Sequence, residues 1–160
     1  MKSTCVGWKA GLATVLVGAL AWTASAVIVS GKTFGKWDLP ASTSSGGFAE
    51  GALLDSGGAT VFKMKAKLAE TPSPSLSMRQ GTMNGVLDNG SGTLYPIYGV
   101  SGKWKALALS GEGSFEAVIT RQRSPLGPVA VIGKMAGKFS DPPSSPNQVG
   151  KYKGEWKADL

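Results

Sequence analysis

The chain reads as an all-β protein of about eight short antiparallel strands in a meander, closed into a small barrel, with a two-sheet sandwich as the alternative. Three features of the sequence lead there. Apolar and polar residues alternate with period two through most of the chain. Gly, Pro, Asn and Asp clusters interrupt that alternation at short intervals. The chain also carries 23 glycines, and each would cost a helix about 1 kcal/mol relative to alanine.

The alternation is plainest near the C-terminus. Gly150, Tyr152, Gly154, Trp156 and Ala158 fall on one face of an extended segment, and Lys151, Lys153, Glu155 and Lys157 on the other. The same phrase, glycine followed two residues later by an apolar side chain, stands upstream at Gly35, Gly51, Gly85, Gly102 and Gly137. Successive markers lie 16, 34, 17, 35 and 17 residues apart, single and double steps of one strand-and-turn unit. The unmarked steps fall at Phe62–Leu68 and Phe115–Ile119, which also alternate.

Taken in order, the predicted strands cover residues 31–39, 47–54, 60–68, 78–88, 97–109, 112–121, 128–140 and 148–158. Ser42–Gly47 separates the first pair, and Asp55-Ser-Gly-Gly58 turns the second into the third. Thr71–Ser75 breaks before the fourth strand, and Asp88-Asn-Gly-Ser-Gly92 follows it. Ser110–Gly113, Ser124–Pro128 and Asp141–Pro146 supply the remaining breaks. So many short strands must hide their edges, which closure achieves. Glycine alternating with aromatics suits a tightly bent sheet. The predicted inner face holds Trp37, Leu53, Phe62, Met64, Leu87, Trp104, Phe115, Ile119, Met135, Phe139, Tyr152 and Trp156. Tyr98-Gly-Val-Ser-Gly-Lys-Trp104 and Tyr152-Lys-Gly-Glu-Trp156 resemble the Tyr-x-Gly-x-Trp pattern of MORN repeats; the spacing here is shorter than that family's, and no function is carried over.

Ahead of the strands lies an address. Met1–Lys9 is basic through Lys2 and Lys9, Ala10–Ala26 is uncharged, and Ala24 and Ala26 form a small-x-small cleavage pattern. The uncharged run has 17 residues, several of them Gly, Ala or Thr, against the roughly 20 apolar residues of a bilayer span. Residues 1–26 are therefore expected to be a cleaved secretory signal peptide, residues 27–160 a single β-rich domain, and the protein secreted or periplasmic. Cleavage would remove Cys5, Lys2 and Lys9, leaving 15 basic residues against 10 acidic ones, a charge of +5 with no cysteine.

Composition narrows the chemistry. With no histidine and one cysteine, Ser-His-Asp and Cys-His triads, histidine-ligated zinc and CxxC sites are out of reach. Glu112 and Glu116 share a strand face about 13 Å apart, farther than the ~5–9.5 Å of a glycosidase pair. Asp88–Gly92 lacks the spacing of a calcium loop and reads as a hairpin turn; within it Asn89-Gly-Ser91 matches a glycosylation acceptor. The expectation is a binding or structural protein of the envelope or extracellular space, not an enzyme, with no cofactor and no metal.

Two faces could bind. Lys134, Lys138, Lys151, Lys153 and Lys157 would form one basic stripe if the last two strands pair, suited to an acidic polysaccharide, lipopolysaccharide or other polyanion. The plainer explanation is that lysines protect sheet edges from aggregation. On the other face, Trp37, Trp104 and Trp156 would line the mouth of a small-ligand or sugar carrier, if they are not simply core. A further alternative, an integral outer-membrane barrel of eight strands, needs the aromatic face toward lipid and the lysines inside. Mass spectrometry of exported protein is expected to show a chain beginning at Val27; retention of residues 1–26 would contradict the address.

Overall fold

The structure, a computed structural model, describes residues 27–39, 46–73, 75–140 and 150–160. The predicted signal peptide, most of Ser42–Gly47 and all of Asp141–Pro146 lie outside these residues. Period-two alternation becomes eight strands: β1 (Ile28–Asp38), β2 (Gly47–Leu54), β3 (Thr60–Thr71), β4 (Met78–Asp88), β5 (Ile97–Leu107), β6 (Gly113–Gln122), β7 (Val129–Ser140) and β8 (Gly150–Asp159). Each pairs antiparallel with the next in sequence, and β8 returns to pair with β1 from Ile28↔Asp159 to Trp37↔Gly150. The sheet closes on itself, so the sandwich alternative is set aside. No strand is left as an edge, which removes the row of unpaired backbone groups that an open meander would present.

Several boundaries differ from the sequence reading, most by a single residue; the three largest shifts among the described residues, in β1, β3 and β5, have physical reasons. β1 begins at Ile28 because it runs the length of β8 to Asp159. β3 continues to Thr71, which faces Gln80 of β4. β5 stops at Leu107 because the chain turns there: the Leu107 N–H donates to the Glu112 carbonyl at 2.8 Å and the Gly111 N–H to the Leu107 carbonyl at 2.8 Å, with Gly111 at φ +68°.

All twelve residues expected inside are buried. They are joined by Thr33, Ala49, Ala66, Leu68, Met83, Val100, Ala106, Ala117, Ile132 and Ala158. The aromatics pack against one another, Trp37 against Phe139 at 5.0 Å between centroids and Phe115 edge-on to Tyr152 at 5.6 Å. Inward glycines make the room. A methyl group on Gly35 would stand 2.7 Å from Tyr152 Cε1, and one on Gly137 would stand 2.5 Å from Phe115 Cζ. Gly35 lies directly across from Gly51, and Gly137 from Gly154, so each pair of bare backbones admits an aromatic ring from a neighbouring strand. Two register shifts occur, after Leu53 in β2 and after Ile119 in β6. The second leaves Ile132 as the extra residue of β7, because Ile119 faces Gly133 while Thr120 faces Val131. That is why Ile132 points inward beside Gly133, out of phase with the alternation downstream.

Among the described residues, each of the three tryptophans has its ring N–H satisfied inside. Trp37 Nε1 donates to the Lys151 carbonyl at 3.0 Å, Trp104 Nε1 to Thr82 at 3.1 Å and Trp156 Nε1 to Leu54 at 2.7 Å. Tyr152 differs: its hydroxyl is buried with no hydrogen-bond partner, while the neighbouring Thr33 hydroxyl donates to the Ala52 carbonyl at 3.1 Å. Burial pushes the Tyr152 pKa up to about 12, against a smaller lowering influence from Thr33.

Two predictions follow from this core. Trp156→Ala is expected to destabilise the barrel by about 3–5 kcal/mol in chemical denaturation, the range for emptying an aromatic site in a packed core. Tyr152→Phe removes a hydroxyl without a partner and is expected to raise stability by about 1 kcal/mol. The same substitution has a pH signature. The folded-state pKa of Tyr152 is raised, so its contribution is intact below pH 10 and lost as the pH climbs from the ordinary value of 10.0 to about 12. The melting temperature of the parent should fall through that window more than that of Tyr152→Phe; identical profiles would contradict the assignment.

Candidate functional site: a basic outer face

With the aromatics inside, the odd-numbered residues of β8 and the even-numbered residues of β7 from Lys134 to Lys138 face outward. The register then decides which lysines meet. Lys134 stands directly across from Lys157, and Lys138 directly across from Lys153. Lys151 stands between Ser140 on β7 and Lys36 on β1. The five lysines expected to form a stripe are therefore brought onto one face, with four of them arranged as two opposed pairs.

No acid lies in register beside those four. The second neighbours across the sheet are Val118 for Lys134, Ser30 for Lys157, Ser114 for Lys138 and Phe34 for Lys153. The row between the two pairs is different. There Glu155 faces Lys32, and Glu116 faces Lys103, with Ala136 between the two glutamates. Acid and base match in the middle row, while positive charge stands against positive charge in the rows above and below. Like charges directly opposite on an antiparallel pair are mildly destabilising.

The other lysines sit in different company. Lys63 lies across from Asp88, and Lys65 across from Glu50. Glu50 also faces Lys36 and forms an ion pair with it at 3.4 Å. Arg79 belongs to a separate, structural contact. Its guanidinium donates to both Glu70 carboxylate oxygens, at 3.0 and 2.9 Å, and to the Leu39 carbonyl at 3.4 Å. Those hydrogen bonds hold the Glu70 carboxyl below its usual range and raise Arg79 further.

An open groove of about 1200 Å³ runs over the middle row. Lys32, Lys103, Lys134 and Lys157 line it with Glu116 and Glu155; Val118 and Ala136 lie among them, and the Asp55–Gly58 turn bounds it. Asp55 shapes that turn, its Oδ1 accepting the N–H groups of Gly57 and Ala59 at 2.9 Å each. Two lysines beside β8 on this face, Lys32 in the groove and Lys36 opposite Lys151, were not expected from sequence. They reach this face only because β1 closes against β8, a pairing between chain ends that no local pattern reports.

The three tryptophans of the carrier alternative do not lie at the surface. Trp37 and Trp104 are 2% exposed and Trp156 3%. Nor do they share a mouth: Trp37 faces Gly150 at the start of β8, whereas Trp156 lies near its end, opposite Gly31. Six residues along β1 separate those two levels, about 20 Å. The outer-membrane alternative loses its premise as well, since the aromatic face is the interior and the lysines are outside, the reverse of a lipid-facing surface. Among the described residues no group of three or more acidic, histidine or cysteine side chains could hold a metal.

Fold and face together define a class: an up-and-down eight-stranded barrel with an aromatic-rich interior and a lysine-rich outer wall. Comparison with protein-family models, with curated proteins and with solved structures finds no match.

Proposed function

We propose that this protein is an exported, non-enzymatic barrel that acts by binding a polyanion, such as an acidic polysaccharide or lipopolysaccharide, on the β7–β8 face. The observation that carries this reading is the pair of opposed lysines, Lys134 with Lys157 and Lys138 with Lys153. Edge protection does not account for them, because β7 and β8 are hydrogen-bonded on both sides and have no edge to guard. Repulsion maintained in the unbound protein is repaid when an anionic group sits between the two ammonium groups. The pairs are four residues apart along the strands, about 13 Å. A polymer with repeated charges spans both; one isolated phosphate does not.

The test is retention on heparin. Lys138→Gln/Lys153→Gln is expected to elute at lower salt than Lys63→Gln/Lys65→Gln, although both variants lose the same charge. Binding by the parent should weaken steeply with ionic strength, as contacts to polyanions do. Stability should shift by no more than about 0.5 kcal/mol per substitution, the usual effect at an exposed site. Equal elution of the two variants would leave net charge as the whole explanation and overturn the reading.

A further inference from the structure

The chain contains two Asn-Gly steps, Asn84-Gly85 and Asn89-Gly90, and the fold treats them differently. Asn84 lies within β4, in register between Lys67 and Ser101, and its Oδ1 accepts a hydrogen bond from the Ser101 hydroxyl at 2.8 Å. Gly85 is likewise held between Ala66 and Val100. Asn89 is exposed in the turn after β4, where Gly90 has φ +72° and nothing lies within 4 Å of the position a Cβ would take.

Two hydrogen bonds in that turn bear on reactivity. The Gly90 N–H donates to Asp88 Oδ1 at 2.8 Å, and the Ser91 N–H donates to Asn89 Oδ1 at 3.1 Å. The first draws electron density toward the Gly90 nitrogen, a potential nucleophile. The second polarises the Asn89 side-chain carbonyl, an electrophile, in the manner of an oxyanion-hole donor. A glycine nitrogen approaches its neighbour's Cγ with no side chain in the way.

We propose that Asn89 is a self-modification site, converting through a succinimide to aspartate and isoaspartate while Asn84 stays intact. The Gly90 nitrogen gives its proton toward the Asp88 carboxylate and bonds to Asn89 Cγ, and the developing charge on Oδ1 is met by the Ser91 N–H. Collapse breaks the Cγ–Nδ2 bond, and ammonia leaves carrying the transferred proton. Water then opens the ring at either carbonyl, producing aspartate or isoaspartate. No oxidant or cofactor is consumed. Each conversion replaces a neutral amide by a carboxylate beside Asp88.

Peptide mapping of the folded protein after incubation at mildly alkaline pH tests this. The Asn89 peptide should gain roughly one mass unit and separate into two isomers, while the Asn84 peptide remains unchanged. In urea both peptides should convert, showing that the fold makes the difference. Asp88→Ala and Asp88→Asn, checked for an unaltered melting transition, should each slow conversion several-fold. Comparable conversion of Asn84 and Asn89 in the folded protein, an unmodified Asn89, or parent-like rates in both folded Asp88 variants would overturn the proposal.

Discussion

The structure rests on one steric exchange, bare backbone for aromatic ring. Eight strands enclose an interior wide enough for side chains but too narrow for a large residue at every inward position. Gly35 opposite Gly51 and Gly137 opposite Gly154 leave bare backbone where Tyr152 and Phe115 lay their rings. Closure depends on this exchange. Bulky residues at those inward positions would collide with the rings and with the facing backbone, and small residues in place of the aromatics would leave the centre unfilled. Tyr152 shows how the exchange can override polar chemistry: its ring is packed over Gly35 and its hydroxyl over Gly51, where that hydroxyl is left without a partner.

Closure also sets the meaning of the outer surface. On an open sheet, lysines along the last strand would guard an edge. In a closed barrel every strand is already paired, so the same lysines must be accounted for as a surface. The register sorts them. Lys63 and Lys65 fall opposite acids, Lys32 and Lys103 fall opposite Glu155 and Glu116, and the two pairs on β7 and β8 fall opposite each other. Charge is thus unevenly matched around the wall, although the strands carrying it look alike.

Much of this was legible in the sequence because its causes are local. Period two places Tyr152 and Trp156 together and opposite to Lys151 and Lys153 in any strand, whatever that strand pairs with. Glycine clusters mark where the chain must turn, so the eight strands and the twelve large inward residues followed. The other inward residues did not, Leu68, Met83 and Val100 among them. Ala49, Ala66 and Ala117 carry too little apolar area to reveal a face, and Ile132 is placed by a register shift that no alternation predicts.

What the sequence by itself determined, then, is which residues share a face and where strands end, because both depend on backbone geometry within a few residues. The tertiary structure alone decided what stands across from what. Lys134 meets Lys157 rather than Glu155 because β7 and β8 join in that register and no other. Lys36 comes beside Lys151, and Lys32 beside Glu155, only when the two ends of the chain meet. Trp37 and Trp156, which look equivalent in the sequence phrase, are placed at opposite ends of the interior by that same closure. Neighbours across a ladder belong to different segments, and their offset is set by turn geometry and core packing acting together.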